Sequence, residues 1–269
     1  MASTPKYHTF AALISVTDTE TEQVMRMYDW KKKTFKGDTQ VYYEAAFERC
    51  GLTHRVITAR QDEMGMTACA ALCMKVIAHF RPRYLIMVGI AAGVALPDVE
   101  DQIYGDIVLA DVVWNYSSGK FVSPEKANIR FGDIGFIPRP TAISVKDWLL
   151  PYIDAAMKSP ENENHVFVGP MASGSAVVAS QEMLNKQIRH SYQNTAGLDM
   201  ESYAVMYTAM HATEPQPVPI VAKSVCDYAD SRKSDQYQKW AAYTSCEFAK
   251  LLYEKYLPDG RNDPLRETV

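Results

Sequence analysis

The most constraining feature of this chain is a set of short, nearly unbroken apolar runs. They are Phe10 to Val16 (FAALISV), Tyr84 to Val88 (YLIMV) and Pro219 to Val225. A strand with one wet face alternates apolar and polar side chains, whereas an unbroken apolar strand is covered on both faces. Further strands are expected at His54 to Thr58, Asp106 to Val113 and Val166 to Val168. Between these runs, apolar residues recur at helical spacing. That pattern predicts helices over 21–28, 67–80 (stopped by Pro82), 181–191, 201–212 and 236–256. Strands alternating with helices imply an α/β fold, with a mostly parallel sheet between helices. The segment from Ser117 to Pro140 is rich in glycine and proline and reads as the longest irregular loop, a candidate lid. The polar ends, 1–8 and 259–269, read as frayed.

A length of 269 residues suits one domain, here expected over 1–269 with its core at about 10–255. The formal net charge of -4 argues against a broad nucleic-acid face, which needs a basic excess. The five cysteines (50, 69, 73, 226, 246) form no CxxC pair and read as reduced thiols of a cytoplasmic protein. The six histidines show no paired spacing, so neither a metal nor another cofactor is expected. The N-terminus lacks the pattern of a signal peptide, and no apolar run approaches a membrane span.

Five segments carry chemistry. ISVTDTETEQV at 14–24 places acids where a buried strand meets a helix, and such residues are also good helix caps. MVGIAAGVALP at 87–97 brings Gly89, Ile90 and Ala91 to a strand end, where small residues let backbone approach a ligand. GPMASGSAVVAS at 169–180 follows a strand and includes Met171, Ser173 and Val177. GLDMESYAV at 197–205 opens a helix with Asp199, Met200 and Glu201; a carboxylate there can grip vicinal hydroxyls. AKSVCDYAD at 222–230 sets Lys223 and Asp227 at the carboxyl end of a strand, where open α/β sheets bind ligands.

Taken together and in order, VGIAAGV, GDIVLADVV (105–113), ASG (172–174), DMES (199–202) and VCDYAD (225–230) resemble the purine nucleoside phosphorylase and methylthioadenosine/S-adenosylhomocysteine nucleosidase superfamily. VVWNYSSGKF (112–121) and CDYADSRKSDQYQKWAAYTS (226–245) look most like nucleosidase-type domains of bacterial defence systems. The resemblance implies a three-layer α/β/α sandwich around a mixed, largely parallel sheet that can curl into a partial barrel. It also implies roles. Asp227 would help protonate a departing purine, most naturally adenine. Glu201 would hold the ribose hydroxyls and Met200 would pack on the sugar. Glu20, with Glu22 as the competing position, would activate water. Gly89, Ile90, Ala91, Met171, Ser173, Val177 and Asp199 would line the substrate site. The family's habit implies a homodimer or higher homo-oligomer.

Family phosphorylases place an arginine before the glycine-rich turn and a hydroxyl inside it. Here Met87 and Ile90 stand there, and Glu20 and Glu22 would repel phosphate. Water is therefore the expected attacking group, with a phosphorylase or a non-catalytic nucleoside sensor as alternatives. For a substrate with a 5′-phosphate, Lys120, Arg130, Arg139, Lys223 and Arg60 form a candidate cluster. The expected partner is a small purine nucleoside or nucleotide, not nucleic acid or membrane.

Overall fold

The computed structural model of the chain describes residues 6–94, 102–127, 129–231, 234–261, 263 and 265. Residues 95–97 of the glycine-rich segment, Arg232 and Lys233, residues 1–5, and 262, 264 and 266–269 of the two ends lie outside the described residues.

The described chain runs β1 (Thr9–Ser15), α1 (Asp18–Met25), β2 (Lys31–Lys33), β3 (Tyr42–Arg49), β4 (Leu52–Arg60), α2 (Met66–Phe80), β5 (Pro82–Gly93) and β6 (Ile107–Asn115). It continues through β7 (Gly119–Val122), β8 (Ile129–Phe131), β9 (Ile134–Pro138), β10 (Ala142–Ser144), α3 (Leu150–Met157) and β11 (Val166–Ser173). The last elements are α4 (Gln181–Met183, prolonged by a wider turn to Arg189), β12 (Gly197–Asp199), α5 (Ser202–Met210), β13 (Val218–Asp227) and α6 (Gln238–Leu251).

The main sheet is mixed. It is parallel through its centre, where β4, β1, β5 and β13 lie side by side. Antiparallel pairs occur at its edges and where it closes. Strand β13 pairs with both β5 and β6, while β12 joins β5 to β11 and β11 joins β6. Strands β5, β13, β6, β11 and β12 therefore form a closed ring, the expected partial barrel. Helices α1 and α6 pack together on one face, and α2 and α5 on the other. Every residue of β1 is buried, as a strand between two helical layers requires. Truncating a central side chain such as Leu13 would cost about 2–5 kcal/mol.

The segment expected as a loop at 117–140 is instead largely a separate three-stranded sheet, β7–β9–β8. Its strands are short, glycines lie in and between them, and Ile129 and Phe136 are buried in it. The hairpin β2–β3 and the helix α3 were not expected either.

Candidate functional site

The carboxyl ends of β1, β5, β12 and β13 converge on one cavity. Glu20, Asp199, Glu201, Lys223 and Asp227 all line it, together with Ile90, Ala91, Met200 and Val177. These residues span more than two hundred positions of sequence, and the parallel strand order brings them together.

Glu20 is held in place with little freedom. It is 1% exposed. Its Oε2 accepts from the Val16 and Thr17 N–H groups at 2.7 and 2.8 Å, and its Oε1 accepts from Ile90 N–H at 2.9 Å. The Thr17 hydroxyl accepts from Glu20 N–H, completing a capping box at the start of α1. The acid thus caps the helix and presents a carboxylate to the cavity at once. Gly89 makes this possible. Its φ is +130°, and a Cβ built there would sit 1.9 Å from Glu20 Oε1. Its N–H donates to Ser245 Oγ at 2.8 Å, and that hydroxyl donates to the Ala222 carbonyl at 2.7 Å, tying β5 to α6 and β13.

Lys223 is 2% exposed and sits among three carboxylates: Glu20 Oε1 at 3.8 Å, Asp199 Oδ2 at 3.5 Å and Glu201 Oε2 at 3.5 Å. Burial alone would push its pKa down, but Glu20, Asp199 and Glu201 outweigh burial and hold it above the usual lysine range. Lys223 is therefore an ammonium ion at every pH of interest. Glu201 accepts from Gly65 N–H at 2.8 Å. Burial raises its pKa, the Lys223 charge opposes that, and Asp199 and Glu20 add to the rise. Asp199 accepts from the Ser202 N–H and hydroxyl, so it anchors the first turn of α5.

Asp227 ends β13, 3% exposed. The β13–β5 register shifts between Val225 and Asp227, and such a bulge re-aims the side chains beside it. Asp227 Oδ1 accepts from Ala229 N–H at 2.9 Å, and Cys226 Sγ donates to Oδ2 at 3.4 Å. Apolar and aromatic side chains also line the cavity: Ala92, Val178, Leu198 and Tyr116. Burial pushes the Tyr116 phenol up to about 12, and its hydroxyl donates to the Ala176 carbonyl. Tyr116 also packs under the ASG turn, where a Cβ on Gly174 would meet its ring at 2.2 Å. The cavity is thus lined by fixed acidic side chains, three of them around a buried cation.

A model of the phosphorylase superfamily matches residues 11–257. The chain belongs to the phosphorylase superfamily. An uncharacterized protein of Sinorhizobium fredii, y4jS, is 32% identical over 85% of this chain. The ATP nucleosidase Cap17 of Escherichia coli (strain KTE188) is 24% identical over 76% of it, and a death domain-containing ATP nucleosidase of Amphimedon queenslandica 25% over 75%. The matched stretch covers 56%, 41% and 38% of these relatives, so the chain spans about half of each or less. Among solved structures, the 5′-methylthioadenosine/S-adenosylhomocysteine nucleosidase of Neisseria meningitidis matches with a TM-score of 0.71 at 20% identity, covering 91% of this chain and 99% of that one. The futalosine hydrolase of Helicobacter pylori gives 0.71 at 18%, covering 91% and 97%. At such identities these structures share the fold.

Within this superfamily chain, the structure resolves several readings of the sequence. Glu20 faces the cavity, whereas Glu22 is half-exposed and paired with Arg26 and Lys239. Gly89 was expected against a ligand, but its missing side chain makes room for Glu20 instead. Met171 and Ser173 do not line the cavity; both are fully buried in β11, beneath it. Lys120 lies in β7, away from the lining residues, and Arg130 donates to the Ala127 carbonyl. Lys223 is a buried counter-ion rather than a free phosphate ligand. Arg60 bonds the Val16 carbonyl at 3.0 Å and pairs with Asp18 just outside the cavity. The sequence reading missed Tyr116, Cys226, Met64 and Gln238, which also line it. Cys226 was legible as the neighbour of Asp227; the others carry no local signal. Among the described residues, no helix is long and apolar enough to cross a membrane.

Proposed function

We propose that the protein hydrolyses the N-glycosidic bond of a purine nucleoside or nucleotide and releases the free base, with adenine the expected base. The observation that carries this reading is the convergence of Glu20, Glu201 and Asp227 on one cavity around Lys223. Glu20 takes a proton from a water molecule as its oxygen bonds to C1′ of the ribose. The C1′–N9 bond breaks through an oxocarbenium-like state, and its electron pair leaves with the purine. Asp227 delivers a proton to that base. Glu201 holds the ribose hydroxyls, and Met200 packs against the sugar. Lys223 keeps Glu20, Asp199 and Glu201 together without becoming a reactant.

Water is favoured over phosphate by the charge of the site. Three carboxylates, Glu20, Asp199 and Glu201, share the one buried ammonium of the cavity. An incoming phosphate dianion would meet net negative charge. The relatives named ATP nucleosidases support a nucleotide as substrate and, with the sequence resemblance to defence-system domains, a role as a nucleotide-degrading effector. We propose also a homodimer or larger homo-oligomer joined through α2 and α5. Thr67, Ala71, Met74 and Ala78 form an exposed, uncharged row on α2, beside Lys75 and His79, which pair with Asp38, and Met64 continues the row to the cavity rim. The test of the reaction is base release from nucleosides and nucleotides in phosphate-free buffer. Release that requires phosphate would make the protein a phosphorylase, and binding without release a sensor.

A further inference from the structure

We propose that the chain carries a second ligand site, for a small phosphate-bearing anion, at the edge of the sheet opposite the Glu20 cavity. It rests on none of the residues assigned to the reaction. A cavity of about 570 Å³ opens where β1, β4 and β5 begin, closed by the segment 259–261. Thr9 and Phe10 line it from the first residues of β1, while the far end of β1 leads into Val16 and Thr17 of the catalytic cavity. At roughly 3.3 Å per residue, the two cavities lie about 20 Å apart.

The charge of this cavity is strongly one-sided. Lys6, Arg83 and Arg261 line it with Arg55, which Glu44 already pairs at 2.7 Å, and Asp259 is the one carboxylate among the described lining residues. Asp259 is heavily subscribed. It lies 3.6 Å from His54 Nε2 and 3.9 Å from Arg49, and accepts from Arg261 N–H at 2.6 Å. Even so, buried polar atoms at and behind this wall lack hydrogen-bond partners: Thr9 Oγ1, His54 Nε2, and Nε and a terminal nitrogen of Arg49. Thr9 is 3% exposed. Buried groups of this kind are normally satisfied, and an exception calls for a ligand or another explanation. Burial, and then the Arg49 charge, hold His54 below its ordinary pKa despite Asp259.

A phosphate group fits this chemistry. It has several acceptor oxygens for a hydroxyl, an imidazole N–H and guanidinium forks, and it carries the charge that the lone carboxylate leaves unmet. Aromatic surfaces lie beside the cations: the Arg83 guanidinium is 4.8 Å from the Tyr7 ring centre, and that of Arg49 is 5.3 Å from Phe10. The volume accommodates a phosphorylated metabolite or a nucleotide.

Calorimetric titration of the full chain with inorganic pyrophosphate, and separately with inorganic phosphate, tests this. The wild type should bind pyrophosphate saturably, and more weakly as salt is raised. The double variant Arg83→Ser/Arg261→Ser removes exposed or half-buried side chains and should weaken binding by about tenfold or more while base release is unchanged. Thr9→Val keeps the shape of the side chain and should weaken binding several-fold. Asp259→Asn should tighten it. No saturable binding would overturn the proposal. So would affinity unchanged in the double variant and in Thr9→Val, which would put the anion elsewhere, as in the catalytic cavity.

Discussion

Replacing Lys223 by methionine should destabilise the protein severely at neutral pH and much less in mild acid. The lysine is 2% exposed, with carboxylates at 3.5, 3.5 and 3.8 Å. At an effective dielectric constant of about 20, each contact is worth roughly 4–5 kcal/mol of gross attraction. Most of that offsets desolvation, and breaking a buried pair typically costs about 3–5 kcal/mol because the remaining charge stays buried. A chain of this kind has about 5–15 kcal/mol of total stability, so the variant should be marginal at pH 7.5. The pH dependence has a definite sign. Burial already raises Glu201, and without the ammonium it and its neighbours rise further. A carboxylate whose folded pKa exceeds its unfolded value of about 4.3 favours the folded state below that value. That contribution disappears as pH climbs through the folded pKa. The gap between wild type and Lys223→Met should therefore be smallest near pH 4–5 and widest at pH 7.5. Urea unfolding followed by tryptophan fluorescence at the two pH values measures it. Adding Glu201→Gln to the variant should recover about 1–2 kcal/mol, because one buried charge is gone. A loss below about 1 kcal/mol at pH 7.5, or the same loss at both pH values, would refute the view of Lys223 as the counter-ion of the site.

Gly89→Ala should reduce turnover by about a hundredfold or more, because its Cβ would occupy the place of the Glu20 carboxylate. Steady-state kinetics checks this, and near-wild-type activity would mean that Glu20 need not sit where it does. Glu20→Gln and Asp227→Asn should each lower kcat by roughly 10²- to 10⁴-fold with substrate still bound, as calorimetry on the variants would show. Met74→Glu should shift the protein toward monomer in light scattering if α2 and α5 join the protomers, since it buries an unpaired charge there.

The central strands were legible because burial on both faces leaves little choice of residue. The run at 10–16 corresponds to Thr9–Ser15, that at 84–88 to the middle of Pro82–Gly93, and 219–225 to most of Val218–Asp227. Helix α2 was legible from its spacing and the proline after it. Edge elements were not. Lys31–Lys33 forms a strand with every side chain exposed, so no apolar pattern marks it. Strands β7, β8 and β9 are three to five residues long, and Gly119, Gly132 and Gly135 in and between them read equally well as loop. In the site, the acids could be named because each follows a strand, whereas the sequence does not show what surrounds Lys223. A lysine in an apolar strand can meet an external anion or internal carboxylates. Only the three-dimensional approach of residues 20, 199 and 201 decides which.

The most direct test of the proposed reaction is chromatographic detection of free base released from adenosine, methylthioadenosine, S-adenosylhomocysteine, AMP and ATP, each with and without inorganic phosphate. Hydrolysis by the Glu20, Glu201 and Asp227 site predicts release from at least one of them at an unchanged rate when phosphate is absent, and loss of that release in Glu20→Gln. Release that appears only when phosphate is added would contradict it and make ribose 1-phosphate the expected second product.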